Sequence, residues 1–207
     1  MFFLSLLSHT LRLPPDLLDL PLDVSIRRHL EKIFLDKVIA KLGLCVSVYD
    51  LRKINGGFID PARGAPTYEV EFRVIMFRPF VGEVISAKLK HQDETGLVLT
   101  LGFFDDIIVP AAYMQNPSTY KLDSATGQKL WFWVCEHGEF VIDGFDEIRF
   151  QVQSVSYPPL PLEVPENSKP FAPMVITGSI SEDGLGPLNW WGDDNEAVEE
   201  AEEEEEQ

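Results

Sequence analysis

Between Arg78 and Pro110 the chain alternates apolar and polar residues with the period of a strand, breaks at a turn, and resumes. Val81, Glu83, Ile85, Ala87 and Leu89 interleave with Gly82, Val84, Ser86, Lys88 and Lys90. The cluster Asp93-Glu94-Thr95-Gly96 supplies turn formers, and Leu97, Leu99 and Leu101 then interleave with Val98, Thr100 and Gly102. Three strands in this stretch, with a tight turn and a glycine-interrupted continuation, predict the opening of an OB-type barrel. Such barrels bind single strands of nucleic acid or act as interaction modules, so the expected chemistry is recognition rather than bond breaking.

Upstream, Phe2 to Leu13 reads as a strand that stops at Pro14-Pro15, where proline removes a ladder donor and restricts the residue before it. The period then changes. Leu22, Ile26, Leu30, Ile33, Phe34 and Val38 fall at helical spacing, with Gly43 as the expected stop. Leu44, Val46 and Val48 alternate as a strand, as do Tyr68, Val70, Phe72, Val74 and Met76. The intervening Asn55-Gly56-Gly57 to Gly64-Ala65-Pro66 is too rich in turn formers to be regular structure. Strand, helix, strand, loop and strand make a compact α+β unit, residues 1–79, and Arg78-Pro79-Phe80 leads into the second domain with no flexible linker, which predicts a rigid junction.

The barrel domain is expected over residues 80–192. A polar connection follows Pro110, then strands at Leu130–Val134 and Ile148–Val152 with a turn at Asp143 to Asp146 between them. Residues 157–173 form a proline-rich surface loop, and a last strand runs from Met174 to Ile180. The segment 193–207 holds ten acids and no base, too little apolar content to fold, and reads as a disordered, solvated tail.

That tail distorts the charge balance. Of the formal net charge of −17, it leaves −7 for the other 192 residues. Residues 1–80 hold eleven bases and nine acids, while 81–192 hold six bases and fifteen acids, so neither half has the broad basic footprint of a duplex-DNA binder. A free-standing single-strand-binding factor would need a basic barrel, and this one sums to −9. The acidic second half permits a scaffolding role in which the barrel touches only proteins.

Cys45 and Cys135 lie in apolar strand patterns with no ligand spacing, and are expected to be buried free thiols. His9, His29, His91 and His137 are scattered, no metal or cofactor is expected, and Asp105-Asp106 lacks companions for a metal or for acid–base work. Gly184-Leu185-Gly186 lacks the context of a nucleotide loop. The chain therefore reads as non-catalytic. The longest apolar run falls short of a membrane span, and Met1-Phe2-Phe3-Leu4 has neither a basic flank nor a cleavage site, which predicts a soluble intracellular protein with no membrane partner.

On an OB barrel, exposed aromatics stack bases and cations meet phosphates, which makes Lys88, Lys90, His91, Phe103 and Phe104 the RNA-contact candidates. The competing reading has the two phenylalanines closing the core and the lysines solvated. Trp131 and Trp133, two apart on one side of a strand and flanked by acids, are read as core or protein interface. Trp190-Trp191 either contact another protein or fold back to cap the barrel.

Taken in order, the Met1-Phe2-Phe3 start, Pro14-Pro15 before the helix, the strand from Gly43 to Asp50, the glycine-rich tip loop, Phe77-Arg78-Pro79-Phe80-Val81-Gly82-Glu83-Val84 and Ile176-Thr177-Gly178-Ser179-Ile180 resemble the larger stalk subunit of the multisubunit RNA polymerases. Leu101 to Ile107, Trp131-Phe132-Trp133, and Gly184-Leu185-Gly186 with Trp190-Trp191 look most like the polymerase III branch of that family. The resemblance implies a truncated RNP-like tip domain followed by an OB barrel, and a nuclear, non-catalytic role in promoter-directed initiation of 5S, transfer and other small RNA synthesis. It implies a heterodimer with a smaller helical stalk subunit, docking on the polymerase core, work with initiation factors, and weak contact with nascent single-stranded RNA. By position, Pro14, Pro15, Gly57, Asp60, Pro61, Gly64 and Pro66 would touch the core, and Phe2, Phe3, Phe77, Pro79 and Phe80 would lie near the smaller partner. The acidic tail has no counterpart in the resemblance; its sharper reading is a decoy competing with RNA for basic surfaces.

Overall fold

The computed structural model describes residues 1–59, 64–123, 127–135, 138–144, 147–159 and 171–191, in two compact units divided between Pro79 and Phe80. Asp60, Pro61, His137, Asp146, most of the proline-rich loop and the acidic tail lie outside the described residues.

The N-terminal unit is one sheet and one helix. Strands β1 (Phe2–Arg12), β2 (Val38–Ile39), β3 (Gly43–Ile59) and β4 (Pro66–Phe77) are ordered β1-β4-β3-β2, and α1 (Leu22–Phe34) follows β1. The alternation read in β4 is real: Val70, Phe72, Val74 and Met76 are fully buried against Ile26 and Leu30 of the helix. Ser25, also buried, is held by its Oγ, which donates to the Leu17 carbonyl at 2.6 Å. The helix ends earlier than its apolar spacing suggests. Leu35 leaves helical geometry and Asp36 takes a positive φ of 57°, which an aspartate tolerates, so Val38 belongs to β2 rather than to the helix.

Two further departures lie in β3. It runs on through Asn55-Gly56-Gly57, where the sequence suggested a loop, because positive-φ glycines form a bulge between Gly56 and Phe58 instead of ending the pairing with β4. Earlier bulges fall between Cys45 and Ser47, Val48 and Asp50, and Leu51 and Lys53. Each places two residues opposite one and shifts the phase. The side chains packed against the helix-side core are therefore Cys45, Val48, Leu51 and Ile54, three apart, rather than every second residue from Leu44; Leu44 is buried as well, and Val46 is only half-buried.

The C-terminal unit is a five-stranded barrel with an inserted sheet. In chain order its strands are β5 (Val84–Asp93), β6 (Gly96–Thr100), β7 (Ile107–Pro110), β8 (Ser118–Leu122), β9 (Lys129–Cys135), β10 (Gly138–Val141), β11 (Glu147–Ser156), β12 (Val175–Ser179) and β13 (Gly186–Pro187). The order β12-β7-β6-β5-β11 closes through antiparallel pairing of β12 with β11, and β12 runs parallel to β7. Inward residues Ile85, Ala87, Leu97, Leu99, Ile107, Val109, Ile148, Phe150 and Ile176 fill the interior. Between β7 and β11 the chain builds a separate sheet, β10-β9-β8, from a segment whose pattern predicts only a polar connection, a single strand and a turn.

Candidate functional site

The sheet of the N-terminal unit carries its helix on one face only. On the other, the register aligns Phe2 with Phe77, Leu4 with Ile75, and Leu6 with Arg73. Phe2, Leu4 and Leu6 are 49%, 49% and 63% exposed, an apolar row unusual for a surface strand. β1 is also the sheet edge. It is eleven residues long, pairs with β4 without a bulge, and contains no lysine or proline to discourage a further strand. Beside the row, Arg73 donates two hydrogen bonds to Asp50, at 2.8 and 2.5 Å, and lies over the Tyr49 ring. The Arg73 guanidinium holds the Asp50 carboxyl below the usual range.

This geometry revises the partner candidates. Phe2 and Phe80 are exposed and Phe3 is half-buried beneath the Arg78 guanidinium. Phe77, with no exposed surface and its ring 5.4 Å from Phe2, and Pro79, also buried, cannot present side chains to a partner. Leu4 and Leu6 join Phe2 in the exposed row; their alternation with Ser5 and Leu7 is visible in the sequence, but nothing local tells which face the helix covers.

At the opposite end of β3, Phe58 and Ile59 project at 82% and 64% exposure, directly after Gly57. Of the core-docking candidates, Gly64 and Pro15 are exposed, and Gly57 and Pro14 are half-buried. Pro66 is buried, its carbonyl accepting from the Leu13 amide at 3.0 Å, which removes its ring from any docking surface.

On the barrel the five RNA-contact candidates do not act alike. Lys88 is exposed on β5. Lys90 donates to Asp105 at 2.7 Å, and Thr100 donates to the same carboxylate at 2.5 Å. These bonds hold the Asp105 carboxyl below its ordinary value and pin the loop from Leu101 to Asp106. His91 lies past the bulge between Leu89 and His91, 3.9 Å from Asp93. Phe103 is 51% exposed while its neighbour Phe104 is 6% exposed, so Phe104 is a core residue and not a stacking platform. Asp106, half-buried next to Asp105, has its carboxyl pushed up by burial first and by that neighbouring charge second. A raised carboxyl costs nothing below the ordinary carboxylate range and lowers stability as pH rises through and above it. Asp106→Asn should therefore melt higher than the parent at pH 7 and together with it near pH 3; equal melting at both pH values would contradict this.

The tryptophans pack. Trp131 is buried and its Nε1 donates to the Asp93 carbonyl at 2.8 Å, tying β9 to the β5–β6 turn. Trp133 meets Phe140 at 5.6 Å, Trp190 at 5.2 Å and Trp191 at 6.2 Å. Trp191 Nε1 donates to the Leu185 carbonyl, so the pair folds back on the inserted sheet. Cys45 is buried, and burial pushes its thiol up; Cys135 is only half-buried, not enclosed as expected. No group of three or more metal-ligating side chains gathers among the described residues, nor is any helix there long and apolar enough to cross a membrane.

The family model for RNA polymerase III subunit Rpc25 matches residues 83–191, and that for the SHS2 domain found in the N terminus of Rpb7p/Rpc25p/MJ0397 matches residues 8–63. The chain belongs to the Rpc25 family. It is similar to DNA-directed RNA polymerase III subunit RPC8 of Bos taurus, 35% identical over 203 residues that cover 92% of this chain and 98% of that protein. The Schizosaccharomyces pombe subunit rpc8 is 32% identical over 92% of this chain and all of its own length. Archaeal subunit Rpo7 of Saccharolobus solfataricus is 28% identical over 70% of this chain and 77% of its own. For this Rpc25-family chain the α+β fold is thus an SHS2 domain followed by an OB-like barrel, as the sequence resemblance implied. The Rpc25 match stops at Trp191, the residue that closes the aromatic stack.

Proposed function

We propose that the protein is the larger, non-catalytic stalk subunit of RNA polymerase III, acting in the nucleus. The observation that carries this reading is the similarity to polymerase III subunits along nearly their whole length. The N-terminal unit pairs with a smaller helical stalk subunit through the apolar row of Phe2, Leu4 and Leu6 and the open edge of β1, because a one-sided sheet with an unprotected edge is completed by a second layer or strand. The tip, with Pro14, Pro15, Gly57, Phe58, Ile59, Asp60, Pro61 and Gly64, docks on the polymerase core. The barrel meets nascent RNA weakly, and the assembled stalk supports promoter-directed initiation of 5S, transfer and other small RNAs with initiation factors.

The test is transcription with polymerase III purified without this subunit. Promoter-directed synthesis should fall at least about tenfold while elongation from a preformed scaffold persists, and recombinant stalk dimer should restore it. Undiminished promoter-directed synthesis without the subunit would contradict the reading.

A further inference from the structure

The strand register of the barrel assembles an outer strip that the linear sequence hides. Lys88 stands directly opposite Thr100 on β6 and Glu147 on β11, and Arg149 stands directly opposite Ser86 on β5 and Gly186 on β13. Residues directly opposite share a face. Their neighbours Ala87, Leu99 and Ile148 are buried in the barrel, so Lys88, Glu147, Ser86 and Arg149 all face outward, and all four are exposed.

Aromatic rings stand at both ends. At one end the pinned loop after Thr100 presents Phe103, fixed by the Gly102 amide donating to Thr100 Oγ1 at 2.9 Å and by the bonds of Thr100 and Lys90 to Asp105. At the other, a Cβ on Gly186 would meet the Trp190 ring at 2.8 Å, so that indole lies over Gly186 on the same outer face as Arg149. Between them is a cleft of about 230 Å³ lined by Ser86, Lys88, Thr100, Gly102 and Glu147. Neither Lys88 nor Arg149 forms an ion pair with a described residue, whereas Lys90, Lys121 and Lys129 are each paired with a carboxylate.

We infer that this strip, Phe103–Lys88–Arg149–Trp190 across β6, β5, β11 and β13, is where a short single-stranded RNA segment lies on the barrel. The inference rests on the RNA reading of the preceding subsection and relocates it. An exposed ring at one end, an aromatic wall at the other and two cations between them is an arrangement that holds unpaired nucleotides without duplex-type charge. Three strand spacings of about 4.8 Å make the strip roughly 14 Å wide. With two cations, binding is weak and mildly salt-dependent, with a log–log slope of about −1.4. Glu147 keeps it weaker still. Phosphates run past Lys88 and Arg149 and a base stacks on Phe103, while the Trp190 indole, packed on Gly186, Trp133 and Phe140, walls the far end.

The experiment is fluorescence anisotropy of the full-length chain with a fluorescein-labelled decauridylate at several salt concentrations. Lys88→Ala and Arg149→Ala should each weaken binding roughly threefold to tenfold and reduce the slope by about 0.7. Phe103→Ala should weaken it about tenfold with the slope unchanged. Glu147→Gln should tighten it, and Lys121→Ala, whose cation is paired with Glu139 on the inserted sheet, should leave it within about twofold. Trp190→Phe, which keeps an aromatic wall and the packing on Gly186, guards against loss of fold and should retain most of the affinity. Loss with Lys90→Ala and His91→Ala but not with Lys88→Ala or Arg149→Ala would overturn the strip while leaving RNA contact standing. No binding by the parent chain would reject RNA contact by this chain itself.

Discussion

Gly96→Ala should destabilise the barrel by about 4 kcal/mol or more, a large share of the roughly 5–15 kcal/mol that holds an ordinary domain together. Gly96 opens β6 at a φ of +144°, and a Cβ there would lie 2.0 Å from the carbonyl oxygen of Val109 on β7. The obstacle is backbone. It belongs to the pairing of Gly96 with Pro110 that joins β6 to β7, so it cannot rotate away as a side chain would. Gly82 supplies the control, since its φ is also positive, at +88°, but nothing lies within 4 Å of its added Cβ. Gly82→Ala should cost only about 1–3 kcal/mol, the strain of the backbone conformation alone. Thermal unfolding followed by circular dichroism measures both. Equal shifts for the two variants would show that the β6–β7 approach is looser than described.

Leu4→Asp combined with Leu6→Asp should weaken pairing with the smaller stalk subunit at least ~100-fold and leave folding of the isolated chain nearly unchanged. Two exposed leucines lose little on mutation in the free protein, where surface substitutions move stability by about 0.5 kcal/mol or less each. At an interface the same positions become desolvated, and each introduced carboxylate is left unpaired, at a cost of several kcal/mol. Titration calorimetry against the purified partner reads the affinity, and the melting temperature of the variant alone reads the fold. Wild-type affinity in the double variant would place the partner elsewhere. A drop in melting temperature as large as that of Gly96→Ala would mean that the row is already covered within the chain.

What the sequence made legible was periodicity undisturbed by bulges. Val70, Phe72, Val74 and Met76, and Ile85 and Ala87, point inward as their alternation says, because both stretches keep strict register with a neighbour. In β3 the three bulges before Ile54 convert a spacing of two into a spacing of three, and no local residue type announces them. β8 and β10 escaped notice because Ser118–Leu122 and Gly138–Val141 are short, polar, and stabilised by the aromatic face they share with β9 rather than by their own hydrophobicity. The candidate site was legible as a region and not as a set. Phe103 and Phe104 are indistinguishable in sequence, yet the turn after Thr100 sends one outward and the other into the core. Arg149, sixty-one residues beyond Lys88 along the chain, joins it only through the β5–β11 register.

Whether the protein works within polymerase III is read by affinity purification of the tagged protein from nuclei, with the copurifying subunits identified by mass spectrometry. The polymerase III core should be recovered together with one small helical stalk partner. Recovery of a different polymerase, or of this chain alone with bound RNA, would contradict this expectation.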